Sequence, residues 1–319
     1  FTSKWWLNHQ VFLYENFDDV FLGIYLVNLI ILTDGSKEFG FGHISRSQTL
    51  ANFLIMSGHD IEVIILSNIN LEALFVDKDV IIDVPYNGDF LFEKIDNSHK
   101  IIGLDYHGEA ELDLVINIFD YSRYKGNNQI SSLDYAIIRE NVLNLIDKDR
   151  VRSESVLIML GAYDINNFAD DVIRFLDDKK IQTVIIEKEK SIDVSIYKYC
   201  THYQNPENIA EIMHSSLWAI SNGGSSMLEL MALGMPIYVL PQTNAEKALA
   251  NKIFKEGGLL GVGAPVLMPN IVTIKKVAKK AQNMIDGLGV KRILTLIEEI
   301  IEWQKKIYGY CLFVQAIGS

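Results

Sequence analysis

Three short stretches of this chain join reactive residue types to the spacing that chemistry needs. The first is Gly40-Phe41-Gly42-His43-Ile44-Ser45-Arg46. Glycine lets a backbone approach a ligand closely, and the free N–H groups at a helix start attract anions. A histidine there can turn its ring toward the ligand and accept a proton near neutral pH. The same turn also serves as a plain helix cap with a structural histidine. It is no dinucleotide fingerprint, because Ser45 holds the third glycine position of G-x-G-x-x-G. The second stretch is Ser221-Asn222-Gly223-Gly224-Ser225-Ser226-Met227-Leu228-Glu229-Leu230. Glycines followed by two hydroxyls at a helix start gather N–H and O–H donors, enough to hold a diphosphate without a lysine. Glu229, one turn into that helix, either binds a ribose diol or steadies the helix dipole. The third stretch is Gly161-Ala162-Tyr163-Asp164-Ile165-Asn166-Asn167. It either projects Asp164 and Asn167 toward the same ligand or caps the next helix.

These turns need elements that bring them together. Val27–Thr33 reads as a buried strand and Ser47–Met56 as a helix, with apolar spacing at Leu50, Phe53 and Leu54. Glu62–Leu66, Val80–Val84, Lys100–Leu104 and Leu114–Ile118 read as further strands, and Tyr135–Ile138 closes the first half. The charged run Asp147–Glu154 reads as a surface linker. A second set follows, with strands Ser155–Leu160, Gln182–Ile186, Leu217–Ser221 and Pro236–Leu240. Its helices are Asn167–Leu176, Ile209–Met213, Ser225–Leu233, Ala245–Glu256, Val272–Ile285 and Val290–Trp303. Buried strands alternating with helices predict an α/β chain with mainly parallel sheets. The expected division is an N-terminal extension over 1–26, one α/β domain over 27–150, a second over 151–303 and a tail over 304–319. All three turns fall at C-terminal strand ends, where open parallel sheets bind ligands, so the site is expected in the cleft between the halves.

Composition narrows the ligand. The chain has 319 residues, which suits about two domains of ~100–200 residues each. It is 49% hydrophobic and 22% charged, which excludes disorder or coiled coil as a description of the whole. Lys and Arg number 29 against 41 Asp and Glu, a formal charge of −12. A nucleic-acid binder carries the opposite sign, so none is expected as a partner. An anionic small ligand must instead be held by local backbone dipoles. Cys200 and Cys311 stand far apart and form neither a disulfide framework nor a zinc site. They fit a reducing, cytoplasmic setting. The most apolar window, Val20–Leu32, contains Asn28 and falls short of the ~20 residues of a membrane helix, so no stable membrane insertion is expected. His202 and His214 are too far apart for a helical metal pair, His107 reads as a loop histidine, and Lys275, Lys276, Lys279 and Lys280 read as a solvated face.

The order and spacing of the three turns resemble the UDP-2,4-diacetamido-2,4,6-trideoxy-β-L-altropyranose hydrolases of pseudaminic acid synthesis, the PseG family, with SpsG as a relative and the MurG glycosyltransferases more distant. Tyr135-Ala136-Ile137-Ile138-Arg139-Glu140, Leu114–Asn117, Ala232-Leu233-Gly234-Met235-Pro236 and Asp286-Gly287-Leu288-Gly289-Val290-Lys291-Arg292 extend the match from about Val27 to about Trp303. The resemblance implies a GT-B-like fold, two Rossmann-like domains facing a central cleft, with UDP held mainly by the second. It implies that His43 activates water to displace UDP with inversion, with Gly42 and Arg46 in the substrate-side turn. It implies that Gly224, Ser225 and Ser226 hold the diphosphate, Glu229 the ribose, and Asp164 and Asn167 flank the sugar and phosphates. Asn244 matches an asparagine in the loop after the Pro236–Leu240 strand. The implied substrate is a UDP-sugar, with no metal and no cofactor, and with fusion to or association with other nonulosonic acid enzymes as the expected partnership. The chain departs from the pattern at Leu32, where arginine is frequent, at Ala162 and Tyr163, where glycine and a small hydroxyl residue are usual, and at Ala245, where glutamine is frequent. Two other readings stay open: a glycosyltransferase in which His43 deprotonates an acceptor hydroxyl, and a nucleotide-sugar-binding protein without turnover.

Overall fold

The computed structural model describes residues 27–36, 40–119, 124, 126–146, 148–149, 153–188 and 192–301. The expected extension 1–26 and tail 304–319 lie outside these residues, as do Trp303, Cys311, and Asp147, Arg150, Val151 and Arg152 of the expected linker.

The first half builds β1 (Asn28–Thr33), α1 (Gly42–Met56), β2 (Asp60–Ile65), β3 (Asp79–Asp83), β4 (Ile101–Leu104), β5 (Leu114–Asn117) and β6 (Gln129–Ser131). These strands pair in parallel in the order β2-β1-β3-β4-β5-β6. A short α2 (Glu140–Leu143) leads to the second half. There the elements are β7 (Val156–Met159), α3 (Phe168–Asp178), β8 (Thr183–Glu187), β9 (Cys200–Gln204), α4 (Ile209–Ser215), β10 (Trp218–Ser221), α5 (Ser225–Ala232), β11 (Ile237–Val239), α6 (Asn244–Lys255), β12 (Gly261–Val262) and α7 (Ile271–Met284). A last helix, α8, covers 289–301 within the described residues. The second sheet is again parallel, in the order β12-β11-β10-β7-β8-β9.

Both sheets are apolar on two faces. Leu29 and Ile31 pack in one core of the first sheet, and Ile30 and Leu32 in the other. In the second sheet Leu157 and Met159 face one core while Val156 and Ile158 face the opposite one. Strands covered by helices on both sides read as continuous apolar runs, as these do. Helix α3 shows the matching helical period, burying Ala169, Val172, Ile173 and Leu176.

In the second sheet, strand order reverses between β7 and β10, and in the first between β1 and β3. These are the topological switch points, where crevices open at the C-terminal strand ends. The turns singled out in the sequence leave β1, β7 and β10, the strands that flank those crevices.

Three differences from the sequence expectation have physical reasons. Helix α1 starts at Gly42 rather than Ser47, which brings His43 and Arg46 into its first turn. Edge strands β6 and β9 are half exposed, so neither leaves an apolar run to detect. Tyr135–Ile138 ends the first half without joining the sheet. Its alternation serves two cores: Tyr135 and Ile137 pack against the first-sheet core, Ala136 and Ile138 in the second. Helix α8 makes the return crossing, burying Val290, Ile293 and Ile297 against β1, β3 and β5. The crossings touch at Gly289, where any Cβ would lie 2.2 Å from the Ala136 carbonyl oxygen.

Candidate active site

Parallel pairing sets Asp83, the last residue of β3, beside Thr33, the last of β1. Helix α1 then projects residues 43, 46 and 47 from one face, by the i, i+3, i+4 spacing of a helix. All three meet the fully buried Asp83 carboxylate. His43 Nδ1 lies 2.7 Å from Asp83 Oδ1, Arg46 Nε lies 2.9 Å from Oδ2, and Ser47 donates to Oδ2 at 2.7 Å. Arg46 Nη2 donates to Asp83 Oδ1 at 2.5 Å and also lies 3.0 Å from His43 Nδ1. The ionised Asp83 carboxylate only accepts, so the consistent assignment has His43 Nδ1–H donating to it beside Arg46 Nη2. The lone pair of the neutral ring then sits on Nε2, as a general base requires.

Burial opposes the ionisation of Asp83, but the charge of Arg46 and the hydrogen bonds from His43 and Arg46 hold its carboxyl well below the usual carboxylate range. Burial likewise works against the Arg46 charge, and Asp83 and Asp105 outweigh it, raising Arg46 above its ordinary value. Arg46 pairs with Asp105 through Nη1. Asp105 adopts a left-handed backbone, φ 45°, and accepts the Ile118 N–H at 2.9 Å. A non-glycine residue held there costs on the order of 1–3 kcal/mol, sustained by its surroundings.

The second domain supplies the facing wall. Gly161, φ 90°, packs against Asn222, so the turns after β7 and β10 touch. At Gly223 a Cβ would lie 2.8 Å from both the Cβ and the carbonyl oxygen of Glu246, a space only glycine fits. The Glu246 carboxylate accepts from Asn222 Nδ2 at 2.6 Å, Gly223 N–H at 3.1 Å and Gln242 N–H at 2.7 Å. Thr243 caps α6 by accepting the Glu246 N–H at 3.2 Å. Helix α5 begins at Ser225 after Gly224, with no side-chain cap among the described residues. Across the cleft, Gly42 faces Ser225, and a Cβ there would make an ordinary contact with Ser225 Oγ at 3.5 Å. Glu229, 3% exposed, accepts Arg139 Nε at 2.5 Å and Nη2 at 2.6 Å in a bidentate pair between the two halves. That hydrogen bonding raises Arg139 above its ordinary value.

A cleft of about 520 Å³ runs between these walls. Among the residues singled out in the sequence, Gly42, His43, Arg46, Gly224, Ser225, Ser226 and Glu229 line it together. Asp164 and Asn167 line an adjoining hollow of about 540 Å³ behind Tyr163. There Asp164 accepts the Ala169 N–H at 2.7 Å and Gln242 Nε2 at 2.9 Å. Asn167 sits at the start of α3 with φ 54°. Asn244 opens α6; its neighbours Thr243, Ala245 and Glu246 line the main cleft and it does not.

Sequence reasoning passed over Asp83, Asp105, Lys188 and Glu246, and quoted Arg139 without a role. An acid closing the run Val80-Ile81-Ile82-Asp83 was the available signal for the first, and the Thr243-x-x-Glu246 capping pattern for the last. Among the described residues, Asp77, Asp96 and His99 have ligand atoms close enough to share an ion. They lie near the N-terminal end of β3, away from the cleft lining.

No protein-family model matches the chain. It is 23% identical over 290 residues to uncharacterized protein MJ1062 of Methanocaldococcus jannaschii, covering 72% of this chain and 59% of that protein. It is 19% identical over 279 residues to the UDP-2,4-diacetamido-2,4,6-trideoxy-β-L-altropyranose hydrolase of Campylobacter jejuni, covering 72% of this chain and 97% of that enzyme. The crystal structure of Acinetobacter baumannii MurG superposes with a TM-score of 0.57 at 11% identity, covering 85% of this chain and 99% of the other. This likeness and the sheet orders give a GT-B-like fold of two Rossmann-like domains. No helix among the described residues is long and apolar enough to cross a membrane.

Proposed function

We propose that the chain hydrolyses a UDP-linked diacetamido-trideoxy sugar, releasing UDP in the cytoplasmic assembly of a nonulosonic acid of the pseudaminic type. One observation carries the reading. His43, held by Asp83 with its Nε2 lone pair available, lies one residue from the point where Gly42 meets Ser225. A base and an uncapped helix start, from different domains, therefore share one cleft. In this reading Gly224, Ser225 and Ser226 bind the diphosphate and Glu229 the ribose. Asp164, Asn167 and Asn244 support the turns beside them. Water gives a proton to His43 Nε2, and its oxygen bonds to the anomeric carbon on the face opposite the diphosphate. The bond from that carbon to the β-phosphate oxygen breaks, and its electron pair leaves with UDP. The α5 donors stabilise the charge that develops there, and Asp83 stabilises the imidazolium that forms. The alignment with the Campylobacter jejuni hydrolase across 97% of its length supports the choice of substrate class.

A second reading has its own observation. A smaller pocket of about 170 Å³, lined by His107, Asn117 and Phe119, also reaches His43. An acceptor hydroxyl seated there would replace water and make the protein a transferase. The test is UDP release from UDP-diacetamido-trideoxy-altrose and from UDP-GlcNAc, each without acceptor, with His43→Ala in parallel. Release from the first donor alone, lost in the variant, is the expected result. A variant near the wild-type rate would remove His43 from the mechanism. UDP binding with no release from either donor would favour the transferase or a binding protein.

A further inference from the structure

We infer that Lys188 is the side-chain cation that binds the diphosphate, parked on Phe41 until the anion arrives; this rests on the UDP-sugar reading above. The other cations of the cleft wall are committed. Arg46 is bound by Asp83 and Asp105, and Arg139 by Glu229. Lys188 directly follows β8, is exposed, and makes no ion pair among the described residues. Its Nζ lies 3.5 Å from the centroid of the Phe41 ring.

That ring belongs to the opposite domain and stands beside the expected reaction centre. Phe41 precedes Gly42, and Gly42 abuts Ser225 at the start of α5. Helices α1 and α5 both begin without a capping side chain and without an acid in the first turn. Two helix starts and one ammonium thus bring partial and full positive charge to one end of the cleft. The acids of the same lining face other groups: Glu187 lies by His202, Glu229 by Arg139, and Glu246 accepts from the Gly223 turn, so an anion would complete the arrangement. The ring holds an exposed ammonium only weakly, whereas a phosphate oxygen offers a charge-assisted hydrogen bond. Lys188, Ser225 and Ser226 line the same cleft, and the lysine stem is flexible. Lys188 then lowers the charge on the leaving diphosphate, a task otherwise left to N–H and O–H dipoles.

The test is calorimetric titration of the full chain with UDP, uridine and inorganic pyrophosphate, using wild type, Lys188→Met, Lys188→Arg and Phe41→Leu. Lys188→Met is expected to weaken UDP about tenfold, or ~1.4 kcal/mol, and to leave uridine within twofold. Lys188→Arg should restore most of the loss, and Phe41→Leu should retain most of the UDP affinity. Unchanged UDP binding by Lys188→Met overturns the assignment. So does an equal loss of UDP and uridine in both Lys188→Met and Phe41→Leu, because that pattern marks a clasp holding the domains. Wild type that binds pyrophosphate through Lys188 but not UDP would keep the lysine assignment and sink the nucleotide. Wild type that binds neither sinks both.

Discussion

Replacing Asp83 with asparagine keeps the shape of the side chain and removes its charge. The amide oxygen belongs at the Oδ1 position, because His43 Nδ1 and Arg46 Nη2 both donate there. The amide nitrogen then faces Ser47, whose hydroxyl can accept, and Arg46 Nε, which loses its acceptor there. The His43 tautomer survives, so the effect on rate is electrostatic. Taking charge centres ~4 Å apart and an effective dielectric of ~20, a carboxylate stabilises an imidazolium by about 4 kcal/mol. A base half protonated in the transition state loses about half of that, roughly 2 kcal/mol, or about 30-fold in kcat. Arg46 adds to the loss, since its Nη2 lies 3.0 Å from His43 Nδ1 and its charge is then only partly balanced by Asp105. UDP affinity is expected to change less than twofold, because the diphosphate turn lies on α5. Stability should fall by about 3 kcal/mol, the lower end for a broken buried pair, since Arg46 keeps one partner.

The assays are UDP release, UDP titration and urea unfolding on the same preparations. A folded Asp83→Asn protein with kcat within threefold of wild type would refute the pairing of Asp83 with the base. The double variant with His43→Ala should be no slower than His43→Ala alone, as groups acting as one unit are not additive. The pH sense is also fixed. The folded pKa of Asp83 is depressed, so its contribution to stability is complete above the ordinary carboxylate range. It is lost only as pH falls through the depressed value, and the stability gap between wild type and Asp83→Asn should narrow below about pH 4.

Other substitutions probe other walls of the cleft. Gly223→Ala drives a Cβ to 2.8 Å from the Glu246 backbone oxygen and should cost about 1–3 kcal/mol in urea unfolding while weakening UDP; a neutral result would show that the turn is loose. Glu229→Ala should weaken UDP at least about tenfold, roughly 1.4 kcal/mol, read by titration, and unchanged affinity would end the ribose assignment. Asp286, bonded to Arg292 beside the interdomain crossing, has its pKa lowered to about 2 mainly by that hydrogen bond. The pair is partly exposed, so Asp286→Asn should cost under about 1 kcal/mol at pH 7, and the difference should fade from about pH 4 toward the lowered pKa.

What could be read from the sequence was what leaves a periodic or compositional mark. The apolar runs of β1, β3, β7 and β10 place the strands, and the glycine-rich turns place His43 and Ser225 at their ends. The fold class follows from that alternation. The partners of the chemistry were harder to read because each is distant in the chain. Asp83 looks like the polar end of a strand until register sets it against α1, and Arg139 lies 90 residues from Glu229. Tyr135–Ile138 has the alternation of a strand, and only the packing shows two cores sharing it. Lys188 is one exposed lysine among many until the opposite domain brings Phe41 beneath it.

The two halves solve complementary parts of one electrostatic problem, and the solution depends on where they touch. The first buries an acid to fix a histidine and sets the Arg46 charge against it, with Asp105 sharing that charge. The second bonds the half-buried Glu246 to the Gly223 turn, which ties down the loop while leaving the start of α5 without a side-chain cap among the described residues. The two helix starts meet at 42, where a Cβ would make an ordinary contact with Ser225 Oγ at 3.5 Å. A chain of net charge −12 can thus offer an anion local N–H and O–H donors without a basic surface. The acids near the cleft are spent on orienting groups, and the backbone N–H dipoles, joined by Lys188, face the ligand.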